Sequence, residues 1–431
     1  MGRPKKNSNS NTSTISKKAA LLEGQFDIIT EDNAVWDMLL KRLTKMSRTY
    51  GFLPVETPLL EDLHLYENFY KDNPGPLNSL VKIPWSGKTA VLRREFLPSV
   101  MRSYYQKKVF EEHAMSKWSF SGLTVSQTDD NRASDYRFGF EIFGQFTHLT
   151  EAQLISLVWE FLQSLGFSEL SLEINNIGTA DSQSVYQGIL HDFLAGKKYE
   201  LCDDCNENLK GRVLNVFRCH NFDCQAVMSE APTILDFLDP EESKHFTSIL
   251  EALDELRLPY QLNPQTAGPE GFSKTNFVVK YKHKGEIKIL GEGGYHESLM
   301  QNLCGKQHNC FGFAGSLLEI YRLLEAEKVT IERQHKNDVF LVPLGEMASK
   351  KSLRLFRDLT GEKISVYDHF GLAGVKNQLK QAEVYKAPIA LIMGQKEAMD
   401  EIVILRDVKS GMQEVISYDK IVEEVKKRLG R

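Results

Sequence analysis

SFSGLTVSQTDDNRASDYRFGFEIFG, residues 119–144, is the stretch that decides the fold class. SFSGLTVS and YRFGFEIFG are rich in strand-forming residues, and the polar loop Gln127 to Asp135 between them makes the two a paired hairpin. A helix follows. Thr150 and Gln153 form a capping-box pair, Leu154, Leu157, Val158, Phe161 and Leu165 share one face, and Gly166 closes it. LSLEINN (170–176) alternates apolar and polar as a half-buried strand. Further on, NFVVKYKH (276–283) and EIKILGEGG (286–294) read as strands, and GFAGSLLEIYRLLEAE (312–327) as a glycine-led helix. Strands clustered by hairpins with helices on one face indicate an α+β core on an antiparallel sheet.

Working towards the N-terminus, Trp36, Leu39, Leu40, Leu43 and Met46 recur at helical spacing, with Asp32 or Thr30 as cap and Gly51 as stop. GFLPVETPLLED (51–62) reads as one short strand with Pro58 at its end or on an edge, and residues 90–110 as a strand running into a helix with Pro98 in its first turn. Residues 1–20 are a Ser/Asn/Lys-rich basic tail with too little apolar surface to fold. It is either a solvated leader or a source of phosphate contacts through Arg3, Lys5, Lys6, Lys17 and Lys18. The core is expected to span 21–330, with a mostly helical, cysteine-bearing insert at about 180–260. From 338 to 431 the rhythm becomes β-α-β-α-β-β-α, a compact α/β domain joined through a linker around Glu332–Lys336.

The 431 residues are 42% hydrophobic and 26% charged, the balance of a globular protein with a sizeable core. No apolar run approaches the roughly 20 residues needed to cross a bilayer, so no membrane partner is expected. The absence of an apolar leader points to the cytoplasm. The formal net charge is −5. From Asp338 onward 16 Lys and Arg face 14 Asp and Glu, a net of +2 that leaves −7 for the rest. That asymmetry permits nucleic-acid binding through local patches without demanding it. Lys350, Lys351, Arg354 and Arg357 fall on one predicted helix, and Lys376 and Lys380 on the next. They form either a solvated face or a set of phosphate contacts to RNA.

Six cysteines without a secretory leader argue against a disulfide framework. Cys202 and Cys205 form a knuckle-like pair. Cys219 and Cys224 form a second pair at looser spacing, with His220 able to replace a thiol. Structural zinc and buried reduced thiols are both open readings, and Cys304 and Cys310 read as core.

The order of these pieces resembles histidyl-tRNA synthetases from Leu22 to the C-terminus. LEGQFDIITEDNAVW (22–36) resembles the family's opening segment. GFLPVETPLLED resembles the class II motif 1 strand, whose proline, here Pro58, lies at a dimer interface. AVLRREFLPSVMR (90–102) is similar to "LRPEGTxxxxR", and LNVFRCHNFDCQAVMSEAPTILDFL (214–238) to "NPLRxLDCKxxxCQ…AP". GEGGYHESLMQNLCG (291–305) stands where "GGGRYDGLVEQLGG" is expected, and GFAGSLLEIYRLLE where the motif 3 helix is expected. LGE, QLKQA, APIALIMGQKE and VILRD then follow in the order of an anticodon-binding domain. Each motif alone is weak, whereas their co-linear succession over two domains is specific.

The resemblance implies a class II core, a homodimer, a tRNA partner, and adenylation of histidine with ATP and Mg²⁺. That chemistry sets an ATP α-phosphate against a carboxylate, and arginine forks neutralise the charge. The chain departs from the family at each such arginine. The motif 2 arginine falls on Ser126, the arginine of "RGLDYY" on Gly268 with its aspartate on Gly271, and the motif 3 arginine on Glu319. One such arginine in phosphoryl chemistry is worth roughly 10³–10⁵ in rate. Glu95 and Glu141 remain where the family holds the amino acid's ammonium and imidazole. Leu97 takes the threonine position, Arg137 the glutamine position and Phe272 that of the first tyrosine, and His296 joins the same pocket. Glu95 is also open to a purely structural pairing with Arg137 or a neighbour. Arg93, Arg94, Arg132 and Arg137 are the candidates for replacement cations. The expectation is therefore a synthetase-like RNA-binding or regulatory protein without adenylation. An active histidine–tRNA ligase with a rewired site is the alternative, and a regulatory subunit of histidine biosynthesis the third.

Overall fold

The computed structural model describes residues 21–29, 33–127, 132–211, 213–219, 221–264, 271–327, 338–372 and 374–431. The basic tail, the caps at Thr30 and Asp32, His220, Gly268 and the linker around Glu332–Lys336 lie outside them. The chain divides into two compact units, Met1–Val329 and Thr330–Arg431.

In the first unit, the helix Asn33–Thr49 precedes β1 (Leu53–Pro54), β2 (Leu60–Asp62), β3 (Lys82–Trp85) and β4 (Lys88–Leu92). After them come β5 (Met115–Gln127), β6 (Arg132–Gly144), β7 (Leu170–Asn176), β8 (Gln261–Leu262), β9 (Ser273–His283), β10 (Glu286–Tyr295) and β11 (Cys310–Ser316). One sheet runs β1-β5-β6-β11-β10-β9-β7-β8, and a small one β2-β4-β3. The large sheet is antiparallel except at its two ends, where β1 joins β5 and β8 joins β7 in parallel. GFLPVETPLLED is thus not one strand but contributes to both sheets, because two prolines interrupt its hydrogen-bonding ladder.

The hairpin read from residues 119–144 is longer than its apolar stretches. It pairs in unbroken register from Met115 with Gly144 to Gln127 with Arg132. The polar residues expected in the loop are largely strand, since backbone pairing is indifferent to side-chain polarity. GFAG is likewise the end of β11 and not the start of a helix. Its glycines fit between β6 and β10, and the helix Leu317–Ala326 begins only after Ser316. Helix His148–Ser164 starts two residues before Thr150, with Thr147 as N-cap and no side-chain cap hydrogen bond. Its apolar face, including Leu154, Leu157, Val158 and Phe161, is fully buried, and the Phe161 ring meets Phe138 of β6 at 5.4 Å. Burying such side chains stabilises by about 1.5–3 kcal/mol each.

Between β7 and β8 the chain forms helices Ala180–Gly196, Asp203–Asn208, Phe222–Ser229 and Pro240–Glu255. The first three, with intervening turns, close around a core of their own that includes Tyr186, Leu190, Leu194, Cys205, Val216 and Cys224.

The second unit holds β12 (Val339–Pro343), β13 (Val366–Asp368), β14 (Ile389–Met393), β15 (Ile402–Asp407) and β16 (Gln413–Ser417) in the order β13-β12-β14-β15-β16. Val339 and Leu341 face one apolar cluster while Phe340 and Val342 face another. The two-residue period of a strand thus buries both faces of this sheet. β16 and the short helix Gln395–Met399 carry no clear apolar period and are additions to the β-α-β-α-β-β-α reading.

Candidate functional site

The glycine-rich centre of the large sheet leaves a cavity of about 310 Å³ above β6, β10 and β11, closed on one side by the chain entering helix Leu97–Gln106. Glu95, Leu97, Ser126, Arg137, Glu141, Phe272 and His296 all line it, as the sequence reading grouped them. Gly268 is outside the described residues. Glu319 does not line the cavity. It sits in the first turn of helix Leu317–Ala326, where its backbone N–H donates to the Ser316 hydroxyl at 3.0 Å and its carboxylate lies 4.0 Å from Arg322.

Glu141 projects from β6 at a register position opposite Gly312 of β11. A Cβ on Gly312 would collide with the Glu141 carboxylate, so the glycine makes room for the acid. Glu141 Oε1 lies 2.7 Å from His296 Nε2, and both side chains are almost wholly buried. His296 Nδ1 is 3.0 Å from the Gly294 carbonyl oxygen. A carbonyl can only accept, so Nδ1 carries a hydrogen, and one further proton lies on the Nε2–Oε1 line. Burial pushes the Glu141 carboxyl above its usual range, and the charge and hydrogen bond of His296 pull it back. The Phe272 ring stands 5.1 Å from the His296 ring.

Glu95 Oε1 accepts from Arg94 Nη1 at 2.8 Å, and the same Nη1 donates to the Tyr70 hydroxyl at 2.7 Å. The structural pairing open to Glu95 is therefore with its neighbour Arg94. Burial pushes the Glu95 carboxyl up to about 7 while the Arg137 charge pulls it back. Arg137 itself has no hydrogen-bond or ion-pair partner among the described residues. Arg93 is committed to the backbone: Nη1 donates to the Thr57 carbonyl at 2.9 Å and Nη2 to the Leu123 carbonyl at 2.9 Å, with Phe96 under the guanidinium. It is not a spare cation. The Arg132 side chain is not described.

Sequence reasoning missed two acids in the cavity, Asp135 and Glu292. Asp135 accepts from the Ser316 hydroxyl at 2.6 Å. Glu292 is the one charged residue in GEGG, a signal that was present in the sequence. Counted together, the ionisable cavity residues are Arg94 and Arg137 against Glu95, Asp135, Glu141 and Glu292, with His296 held by Glu141.

The four insert cysteines converge: their Sγ atoms lie within 4.8 Å of one another. In the second unit Lys350 pairs with Glu346 at 2.7 Å and Lys351 with Glu401 at 3.2 Å, while Arg354 and Arg357 both approach Asp358. Lys376 and Lys380 are exposed without an acidic partner among the described residues. No helix among the described residues is long and apolar enough to cross a membrane.

An antiparallel sheet with this strand order, a cavity over its glycine-rich centre and a separate α/β unit define a class II aminoacyl-tRNA synthetase core with an anticodon-binding-type domain. The family model for histidyl-tRNA synthetase matches residues 24–320, and that for the anticodon binding domain matches residues 338–428. The histidine–tRNA ligase of Dehalococcoides mccartyi strain 195 is 28% identical over 413 residues, spanning 94% of this chain and 99% of that protein. That of Natranaerobius thermophilus is 26% identical over 419 residues, with 94% and 98% covered. The crystal structure of apo S. aureus histidyl-tRNA synthetase shares the fold, with a TM-score of 0.80 and 24% identity over 95% of this chain and 100% of that one. The chain belongs to the histidyl-tRNA synthetase family.

Proposed function

We propose that this chain is a dimeric, cytoplasmic member of the family that binds tRNA or another RNA and has lost histidine adenylation. The observation that carries this reading is the buried contact of His296 with Glu141. A free histidine seeking Glu141 would meet an imidazole already there. The tethered group competes at an effective concentration of about millimolar or higher. Leaving the acid without any partner would cost about 3–5 kcal/mol.

Electrostatics add a second obstacle. A triphosphate entering the cavity meets more carboxylates than guanidinium groups. Arg93, one of the candidate replacement cations, already spends its donors on carbonyl oxygens. Fold alone does not carry activity, so what the family's ligases do is not transferred with the family name. RNA binding is supported by the anticodon-binding-type unit and its exposed Lys376 and Lys380. A dimer is what membership of the family supports.

The second reading, an active ligase using ATP and Mg²⁺, draws on Arg137, which lines the cavity without a hydrogen-bond or ion-pair partner among the described residues, and on the full-length match to named ligases. A regulatory subunit ranks behind both, because the chain carries the anticodon-binding domain. Calorimetric titration separates the first two. Histidine and ATP should give no binding heat while tRNA binds with a steep salt dependence; saturable binding of both small molecules would favour the ligase.

A further inference from the structure

The insert contains a chemical cluster that the cavity does not use. Cys202 is the N-cap of helix Asp203–Asn208 and Cys205 lies within that helix. Cys219 follows the turn Val213–Arg218, and Cys224 lies in helix Phe222–Ser229, whose N-cap Asn221 accepts from the backbone N–H groups of Asp223 and Cys224. These local structures bring four sulfurs within 4.8 Å of one another, with Cys202 Sγ to Cys219 Sγ at 3.8 Å. A metal held tetrahedrally by four thiolates at about 2.3 Å sets its sulfur–sulfur edges at about 3.8 Å.

Two backbone donors are aimed at the sulfurs. The Cys202 N–H points at Cys224 Sγ at 3.2 Å, and the Asn221 N–H at Cys219 Sγ at 3.4 Å. Such bonds orient ligands and offset thiolate charge around a metal. Ordinary apolar packing accounts for the buried Cys205 and Cys224. Cys202 and Cys219 sit half-buried at the rim of that core, yet their sulfurs converge on the same point as those of the buried pair.

We propose that Cys202, Cys205, Cys219 and Cys224 bind one structural Zn²⁺. Four soft thiolates fill a tetrahedral shell and leave no open position for water or substrate, which separates a structural from a catalytic zinc site. On binding, the sulfurs exchange their protons for bonds to the metal. The protons pass to solvent, and nothing is oxidised or reduced. The metal joins the turn at Cys202 to the helix at Cys224, staples that a small core of short helices otherwise lacks. The inference is independent of whether the cavity adenylates histidine.

The test is metal analysis of the full chain, purified without chelator or affinity histidines. One zinc per chain is expected, and chelation should lower the melting temperature. Protein stripped with a mercurial and refilled with Co²⁺ should show the intense visible bands of a tetrahedral tetrathiolate. Cys219→Ser should lose the zinc and the spectrum, whereas Cys304→Ser, remote from the cluster, should keep both. If Cys219→Ser does not fold, the wild-type cobalt spectrum still decides. Folded wild-type protein that holds no zinc and takes up no Co²⁺, or zinc retained in Cys219→Ser, would overturn the proposal.

Discussion

Replacing His296 with alanine probes the buried contact on which the functional reading turns. The substitution leaves Glu141, itself almost wholly buried, with no cationic or hydrogen-bonding partner at Oε1. Removing one member of a buried pair costs about 3–5 kcal/mol. At about 1.6 °C per kcal/mol for a unit of roughly 300 residues, the melting temperature should fall by about 5–8 °C. The loss has a sign in pH. Burial already raises the Glu141 carboxyl, and His296 is what pulls it down, so the variant's folded-state value rises further. A carboxyl raised above its unfolded value favours the folded state at low pH and loses that advantage as pH climbs through the folded value. The gap between wild type and variant should therefore widen with pH. Free imidazole, which fits the vacated space, should restore part of the melting temperature in the variant and do nothing to the wild type. Scanning calorimetry across a pH series measures all three effects. A variant as stable as wild type in mildly alkaline buffer, or a loss with no pH dependence and no rescue, would refute the assignment.

Gly312→Ala would drive a methyl group into the Glu141 carboxylate. It should destabilise by about 1–3 kcal/mol, whereas Gly188→Ala, with open space around the added carbon, should be neutral or stabilising in the same melting assay. Glu95→Gln removes a carboxyl raised to about 7 from an ordinary 4.5. Wild-type stability should decline as pH rises through about 7, and that decline should be shallower in the variant when melting temperature is followed against pH. Replacing Lys376 and Lys380 together with alanine should weaken RNA binding in filter assays. If each contacts one phosphate, it should also flatten the log–log salt slope by about 1.4–1.8; an unchanged slope would remove both from the interface.

Much of this was legible in the chain because local chemistry and global order agree. The hairpin at 119–144, the helix over Leu154–Phe161 and the strands of the second unit other than β16 follow from apolar periodicity. The succession of family motifs fixed their connection. The misread elements share a cause. In GFLPVETPLLED and GFAG the side chains are too small or too constrained to signal an element, and neighbouring strands decide the outcome. Motif positions point to part of the cavity's lining, Glu95, Leu97, Ser126, Arg137, Glu141, Phe272 and His296, but not to Asp135 and Glu292, and they do not give its wiring. Glu141 lies on β6 and His296 just past the end of β10, far apart in sequence, and they become neighbours only because β11 joins β6 to β10 in the sheet. The Arg94 contact with Glu95 depends on side-chain direction at the mouth of a helix, which spacing does not encode. Polarity alone places Asp135 in a loop, whereas the hairpin extends through it and brings it to Ser316.

Pyrophosphate exchange is the most direct probe of a cavity whose carboxylates outnumber its arginines and whose imidazole site is filled from within. Purified protein supplied with histidine, ATP and Mg²⁺ should exchange label no faster than a boiled control. Exchange that depends on histidine, scales with the protein and disappears in Arg137→Ala would contradict the account.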